Sequence, residues 1–354
     1  MDAYLVLEDG SIFKGQSFGA VGQKRGEVVF STAMSGYPAA LADPSLFGQI
    51  LVCTYPLIGN CGLDVANQKK ACLEALIVKE ASSDLSSFRP SISLSAYLEK
   101  EGVLGLSGID TRALTRLLRT KGTMRGIVAA GEVDLKQLQQ EVQTIPALDS
   151  WAAVQAQAVK KVRKIAGTGS KLALLDLGAS EGLVQVLAES GYELELVPPT
   201  WTAEAVLALN PAGVVIGNGP GNPADLQAVI AAAAALSTSK PILGIGLGCQ
   251  ILALALGAKT FKMQYGHRGC NHPVKDLASG TVYVTSQTHG YGVDKASLPV
   301  ALELTQFNLN DETLEAFEHK ELPLMGIQYH PESGPRDSRY VFERFAAMLE
   351  QGGK

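Results

Sequence analysis

The sequence predicts an α/β fold of two domains, the second built on a mostly parallel central sheet. Three observations predict it. From Leu172 onward, short apolar segments alternate with segments of helical character. Those apolar segments are continuous rather than alternating, as in strands covered on both faces of a parallel sheet. The chain has 354 residues, enough for two domains, and 46% are apolar, enough to fill a core in each.

In the first half, Ala3–Leu7 and Ser11–Gly15 read as a hairpin with Asp9-Gly10 as its turn. Glu27–Phe30 and Ile50–Tyr55 are strand candidates. Between them lies FSTAMSGYPAALADPSLFGQ, rich in turn formers, which reads either as a plain surface loop or as a functional one. Leu94–Lys100 is a helix candidate. Asp110 caps a second helix over Thr111–Lys121, with Leu114, Leu117 and Leu118 on one face and Arg112, Arg116 and Arg119 elsewhere. Those arginines read as a solvated face before they read as a site for an acidic partner. The domains are placed at residues 1–150 and 171–354. Residues 151–170, a helical stretch ending in Lys160, Lys161, Arg163, Lys164 and AGTGS, are expected to link them.

In the second half, strands are expected at Leu172–Leu177, Glu193–Val197, Gly213–Ile216 and Ile242–Ile245. Helices are expected at Gly182–Ser190, Ala203–Leu209 and Ala224–Leu236. Later strands are expected at Thr281–Thr285, Leu302–Thr305, Leu314–Glu318 and Leu324–Gln328, with a closing helix over Ser338–Glu350. Ligands of such sheets sit at the carboxyl ends of the strands.

Composition narrows the function classes. The net charge of −5 gives no general attraction to nucleic acid or anionic membrane. No apolar run reaches the ~20 residues of a membrane helix, and MDAYLVLEDG meets charge too early for a signal peptide. The five cysteines are odd in number and show no paired metal spacing, so reduced thiols in the cytoplasm and no metal site are expected.

The chemistry is expected around PILGIGLGCQ (241–250). A buried strand breaks there through glycines into a helix. Such a turn lifts one side chain above the sheet edge and aims backbone N–H groups beside it, as in a nucleophile elbow with its oxyanion hole. GNGPGNP (217–223) follows the third strand, a turn whose N–H groups can approach a ligand closely. SQTHGYGV (286–293) carries His289, which alone reads as a structural histidine. GIQYHPE (326–332) runs a strand into His330 and Glu332, a base and a carboxylate to orient it.

Together these stretches resemble the class I glutamine amidotransferases, whose elbow is Gly-Ile-Cys-Leu-Gly-x-Gln. The first half, through LVLEDGSIFKGQSFGA, GEVVFSTAMSGYPAALADPS, TYPLIGNCG and GIDTRALTRLLRTKG, resembles the N-terminal α/β domain of the carbamoyl-phosphate synthetase small subunit. The resemblance covers nearly the whole chain. It implies His330 as base and Glu332 as its orienter. It implies Ser45, Gly219, Gly221, Leu247, Gln250, Thr288, Gly290 and Tyr291 as residues that bind L-glutamine. It also implies a large synthetase subunit as partner, which makes carbamoyl phosphate for pyrimidine and arginine synthesis. That subunit uses ATP, Mg and bicarbonate; no cofactor is implied for this chain itself.

The sequence departs from the family pattern at its centre. Gly246 stands at the nucleophile position, where the family has cysteine. Ser180 and Gly182 replace the lysine and asparagine of Gly-x-Lys-x-Asn. Thr288 replaces an asparagine, Asn222 an aspartate, and the segment after His-Pro-Glu is shortened to SGPRD (333–337). Cys249 lies three residues past the apex, about 4.5 Å along the helix axis, too far for placement sensitive to ~1 Å. An impaired glutaminase is therefore expected. The competing readings are a non-hydrolysing binding or regulatory subunit of an ammonia-dependent synthetase, and a separate hydrolase of another γ-glutamyl compound. The last fails on the missing nucleophile and on the presence of the N-terminal domain.

Overall fold

A computed structural model describes residues 1–64, 69–86, 91–333 and 336–352. The chain divides into two compact units, Met1–Leu148 and Asp149–Lys354.

The first unit is a closed barrel of β1 (Asp2–Leu7), β2 (Ile12–Gly19), β3 (Gln23–Ser31), β4 (Gln49–Cys53), β5 (Ala75–Ile77), β6 (Leu104–Ser107) and β7 (Met124–Ala130), in the order β1-β7-β3-β4-β5-β6-β2. The Asp9-Gly10 turn forms as expected: Gly10 takes φ +88°, and the Asp9 carboxylate accepts from the Ser11 N–H at 2.9 Å. Asp110 caps the helix Thr111–Lys121, accepting from the Ala113 N–H at 2.9 Å, and Leu114 and Leu118 are fully buried. Ser45 is buried in a short 3₁₀ turn, where its N–H donates to Asp43 at 2.9 Å. The barrel itself was not expected. Its short strands β5 and β6 are parallel partners distant in sequence, and a short apolar run carries no sign of its partner.

The second unit is a ten-stranded sheet. Its strands are β8 (Arg163–Ile165), β9 (Lys171–Leu175), β10 (Glu193–Val197), β11 (Gly213–Ile216), β12 (Ile242–Ile245), β13 (Thr260–Asp276), β14 (Val282–Val293), β15 (Leu302–Asn308), β16 (Leu314–His319) and β17 (Leu324–Ile327). They are ordered β8-β10-β9-β11-β12-β17-β16-β15-β13-β14. The five central strands, β10 to β17 in that order, run parallel. Their side chains feed two cores: Ala173, Leu175, Val214 and Ile216 on one face, and Leu172, Leu174, Val215 and Leu243 on the other. Each fully buried Leu or Val stabilises by about 1.5–3 kcal/mol, which is why these strands read as unbroken apolar runs.

Beyond β17 the sheet continues antiparallel, and β13, at 17 residues, was missed by sequence reading. It is largely polar and carries irregularities between Lys262 and His267 and between Gly269 and His272, so no single period runs along it. Residues 151–170, expected as a linker, contribute to the second unit: Ser150–Gln157 is a helix capped by Asp149, and β8 pairs antiparallel with β10. Among the described residues no helix is long and apolar enough to cross a membrane.

Candidate active site

Gly246 ends β12 and caps the helix Leu247–Ala255 with φ +58° and ψ −113°. Its N–H donates to the Ile327 carbonyl at 2.8 Å, which ties the turn to β17. Two further glycines let helix and strands approach. A Cβ on Gly248 would stand 2.0 Å from the Ile216 carbonyl oxygen, and one on Gly244 2.5 Å from the Gly248 oxygen. The elbow backbone is therefore held by close packing on both sides of the apex.

The apex faces His330. A Cβ built on Gly246 would lie 3.5 Å from His330 Nε2 and 3.1 Å from the Asn218 Cβ. His330 follows β17; its N–H donates to the Ser286 carbonyl at 2.8 Å, and its ring is buried. Its Nδ1 stands 3.4 Å from Glu332 Oε1 and 3.2 Å from Asn218 Nδ2. Ser180, the N-cap of helix Glu181–Glu189, donates its hydroxyl to Glu332 Oε1 at 2.7 Å. The Ser180 N–H donates to Asn218 Oδ1 at 3.0 Å. The expected base and carboxylate thus stand together beneath the apex. In the sequence Ser180 stands out only as a departure from the family pattern, and Asn218 does not stand out. The signal for Ser180 was its place as a helix cap; Asn218 sits between two glycines of GNGPGNP and gave none.

Burial pushes the Glu332 carboxyl up, but the hydrogen bond and charge of His330 and the Ser180 hydroxyl outweigh it, leaving its pKa below the ordinary 4.5. A carboxyl with a depressed folded pKa contributes stability above its ordinary pKa and loses it as pH falls through the folded value. Glu332→Gln should therefore cost about 1–3 kcal/mol at pH 7. The gap from the parent should narrow as pH drops below 4.5. Urea unfolding at several pH values measures it; a pH-independent gap would rule out the charged pair as its source.

The other sequence candidates are placed as follows. Gly219 packs so closely that a Cβ would stand 2.1 Å from the Leu177 carbonyl oxygen, and Gly221 takes φ +98°. Leu247 and Gln250 are buried in the first turns of the elbow helix. Gln250 donates from Nε2 to the Tyr291 carbonyl at 2.7 Å and to Gln328 Oε1 at 3.1 Å, linking the elbow helix to the strand that carries Thr288, Gly290 and Tyr291. Asn222 caps a 3₁₀ turn through the Ala224 N–H. Ser45 belongs to the first unit. Cys249 is fully buried, with Sγ 2.9 Å from where a Cβ on Gly326 would stand, and burial pushes its thiol well above the ordinary range. Its side chain is packed against the middle of β17, not at the apex. In segment 333–337, residues 334 and 335 lie outside the described residues.

Residues 5–128 match the family described as carbamoyl-phosphate synthase small chain, CPSase domain, and residues 173–348 match glutamine amidotransferase class-I. The chain is 46% identical over 355 residues to the carbamoyl phosphate synthase small chain of Symbiobacterium thermophilum, covering 98% of each. It is 42% identical to that of Clostridium perfringens, covering 98% of this chain and 99% of the relative. It is 41% identical to that of Archaeoglobus fulgidus, covering 99% of each.

Proposed function

The chain belongs to the carbamoyl phosphate synthase small-chain family, and from that premise we propose that it serves a large synthetase subunit with its own glutamine hydrolysis impaired. The observation that carries the second half is the pairing of Gly246 with an otherwise assembled centre. Hydrolysis in this family's chemistry begins when a cysteine thiolate attacks the glutamine amide carbon. The thiol proton goes to histidine, ammonia leaves, and water then releases glutamate from the thioester. Here His330 and Glu332 keep the pair that would take and hold that proton, but Gly246 has no thiol to give it. In this reading the backbone N–H groups at the start of the elbow helix would hold the carbonyl oxygen of the amide.

The large subunit would then draw on free ammonia, joining it to bicarbonate with ATP and Mg. The chain would act in the cytoplasm. A non-hydrolysing binding or regulatory subunit is the second reading; the changes at Ser180, Gly182 and Thr288, besides Gly246, favour it.

Assembled with its large subunit, the chain should support ammonia-dependent carbamoyl phosphate synthesis. Its glutamine-dependent rate should fall at least about 10³-fold below that of a cysteine-bearing relative, the scale expected for losing a nucleophile. Measuring both rates in one preparation tests this; appreciable glutamine turnover overturns it.

A further inference from the structure

A second polar centre lies in the second unit, buried between β13, β14 and β16. His267, Gln287, His289 and Glu315 are each less than a tenth exposed. The ligand atoms of His267, His289 and Glu315 all lie within 4.8 Å of one another. The irregularities on either side of His267, with Gly266 at φ +67°, place this residue on the inner side of the strand.

The hydrogen bonds determine which atoms present lone pairs. His289 Nδ1 is 2.8 Å from the Tyr291 carbonyl, which can only accept, so Nδ1 carries the proton and Nε2 of the neutral ring carries a lone pair. That lone pair faces Gln287 Oε1 at 2.9 Å. The Gln287 amide cannot be turned round to relieve this. The Thr285 hydroxyl is already donating to the His272 carbonyl at 3.0 Å, so it accepts from Gln287 Nε2 at 3.1 Å, and the same nitrogen donates to Glu315 Oε1 at 2.9 Å. His267 Nδ1 approaches the same Gln287 oxygen at 2.8 Å, while its Nε2 is 2.8 Å from Asp311 Oδ2. Glu315 Oε2 is buried with no hydrogen-bond partner among the described residues.

Two acceptors facing each other at 2.9 Å beside a buried carboxylate call for a cation. We propose that His267 Nδ1, His289 Nε2, Glu315 and the Gln287 oxygen bind one divalent transition-metal ion. Two imidazoles with a carboxylate and an amide oxygen suit zinc. Each histidine already donates its outer N–H to an anchoring acceptor, Asp311 for one and the Tyr291 carbonyl for the other, the arrangement that orients metal-bound imidazoles. The ion cross-links three strands behind Tyr291, whose carbonyl also holds Gln250 of the elbow helix. No spacing in the sequence announces the site, since its ligands come from three strands.

The test uses the full-length chain, refolded from denaturant with Zn²⁺ or Co²⁺ because the ligands are buried, then dialysed against chelator. One zinc per chain by elemental analysis, and visible d–d absorption in the Co²⁺ form, are expected. Glu315→Gln and His289→Asn should abolish both, and Asp311→Asn should weaken binding about 10- to 100-fold. Substoichiometric zinc together with a featureless cobalt spectrum in the parent chain overturns the proposal, whatever the variants' folding. So does stoichiometric metal that both ligand variants retain while folded by circular dichroism, which would place it elsewhere.

Discussion

Gly246→Cys is expected to produce a chain that forms a covalent glutamyl adduct and hydrolyses glutamine at least about 10³-fold faster than the parent. The geometry supports this directly. The added Cβ would lie 3.5 Å from His330 Nε2, so one further bond brings a sulfur within reach of the ring in a suitable rotamer. The elbow conformation is already formed, and what holds it does not depend on the side chain at residue 246: the Gly244 and Gly248 approaches and the bond from the residue's own backbone N–H to the Ile327 carbonyl. The substitution has a cost. A side chain at φ +58° and ψ −113° is strained by about 1–3 kcal/mol. The 3.1 Å approach to the Asn218 Cβ also requires that residue to move by a few tenths of an ångström. The variant should therefore gain activity and lose stability together, the reverse of a neutral repair. Intact-mass analysis after incubation with glutamine, glutaminase assays and thermal unfolding read the three effects. A folded variant without adduct would show that Gly182, Thr288 or the shortened segment after Glu332 has also disabled the pocket.

Gly248→Ala should have the largest effect on stability, more than about 4 kcal/mol, a loss of a size that few single substitutions reach. The added Cβ would stand 2.0 Å from the Ile216 carbonyl oxygen and 2.6 Å from its carbon. Both are backbone atoms at the end of β11, just before the 217–223 loop, and cannot rotate away. Either the elbow helix or β11 must shift, and both carry the centre. Since domains are stable by only about 5–15 kcal/mol, loss of the folded second unit is expected. Gly10→Ala is the control. Its Cβ would meet nothing within 4 Å although φ is +88°, so only the left-handed strain of about 1–2 kcal/mol should appear. Denaturant unfolding compares them. Similar losses would mean that backbone conformation rather than the close approach sets the requirement for glycine at 248.

Much of the central sheet was legible in the sequence because its strands are buried on both faces. Gly213–Ile216 and Ile242–Ile245 form as read, and the helix Thr111–Lys121 begins at its aspartate cap. Such features are set by neighbours in the chain, so local patterns report them. The strand β13 and the barrel of the first unit were not legible. Their pairings join distant segments, and β13 is polar because it supplies a buried hydrogen-bond network rather than an apolar face.

By itself the sequence determined the alternating strands and helices, the glycine-rich turn around Gly246, and the His-Pro-Glu that ends a strand. These depend on residue type and spacing along one stretch of backbone. Only the tertiary structure decided that Ser180 and Asn218 meet the His330–Glu332 pair, that Cys249 faces the core, and that two histidines, a glutamine and a glutamate converge. Those arrangements depend on which face of each strand turns inward and which strand lies beside it, and a side chain's partners across a sheet leave no periodic trace in the order of residues.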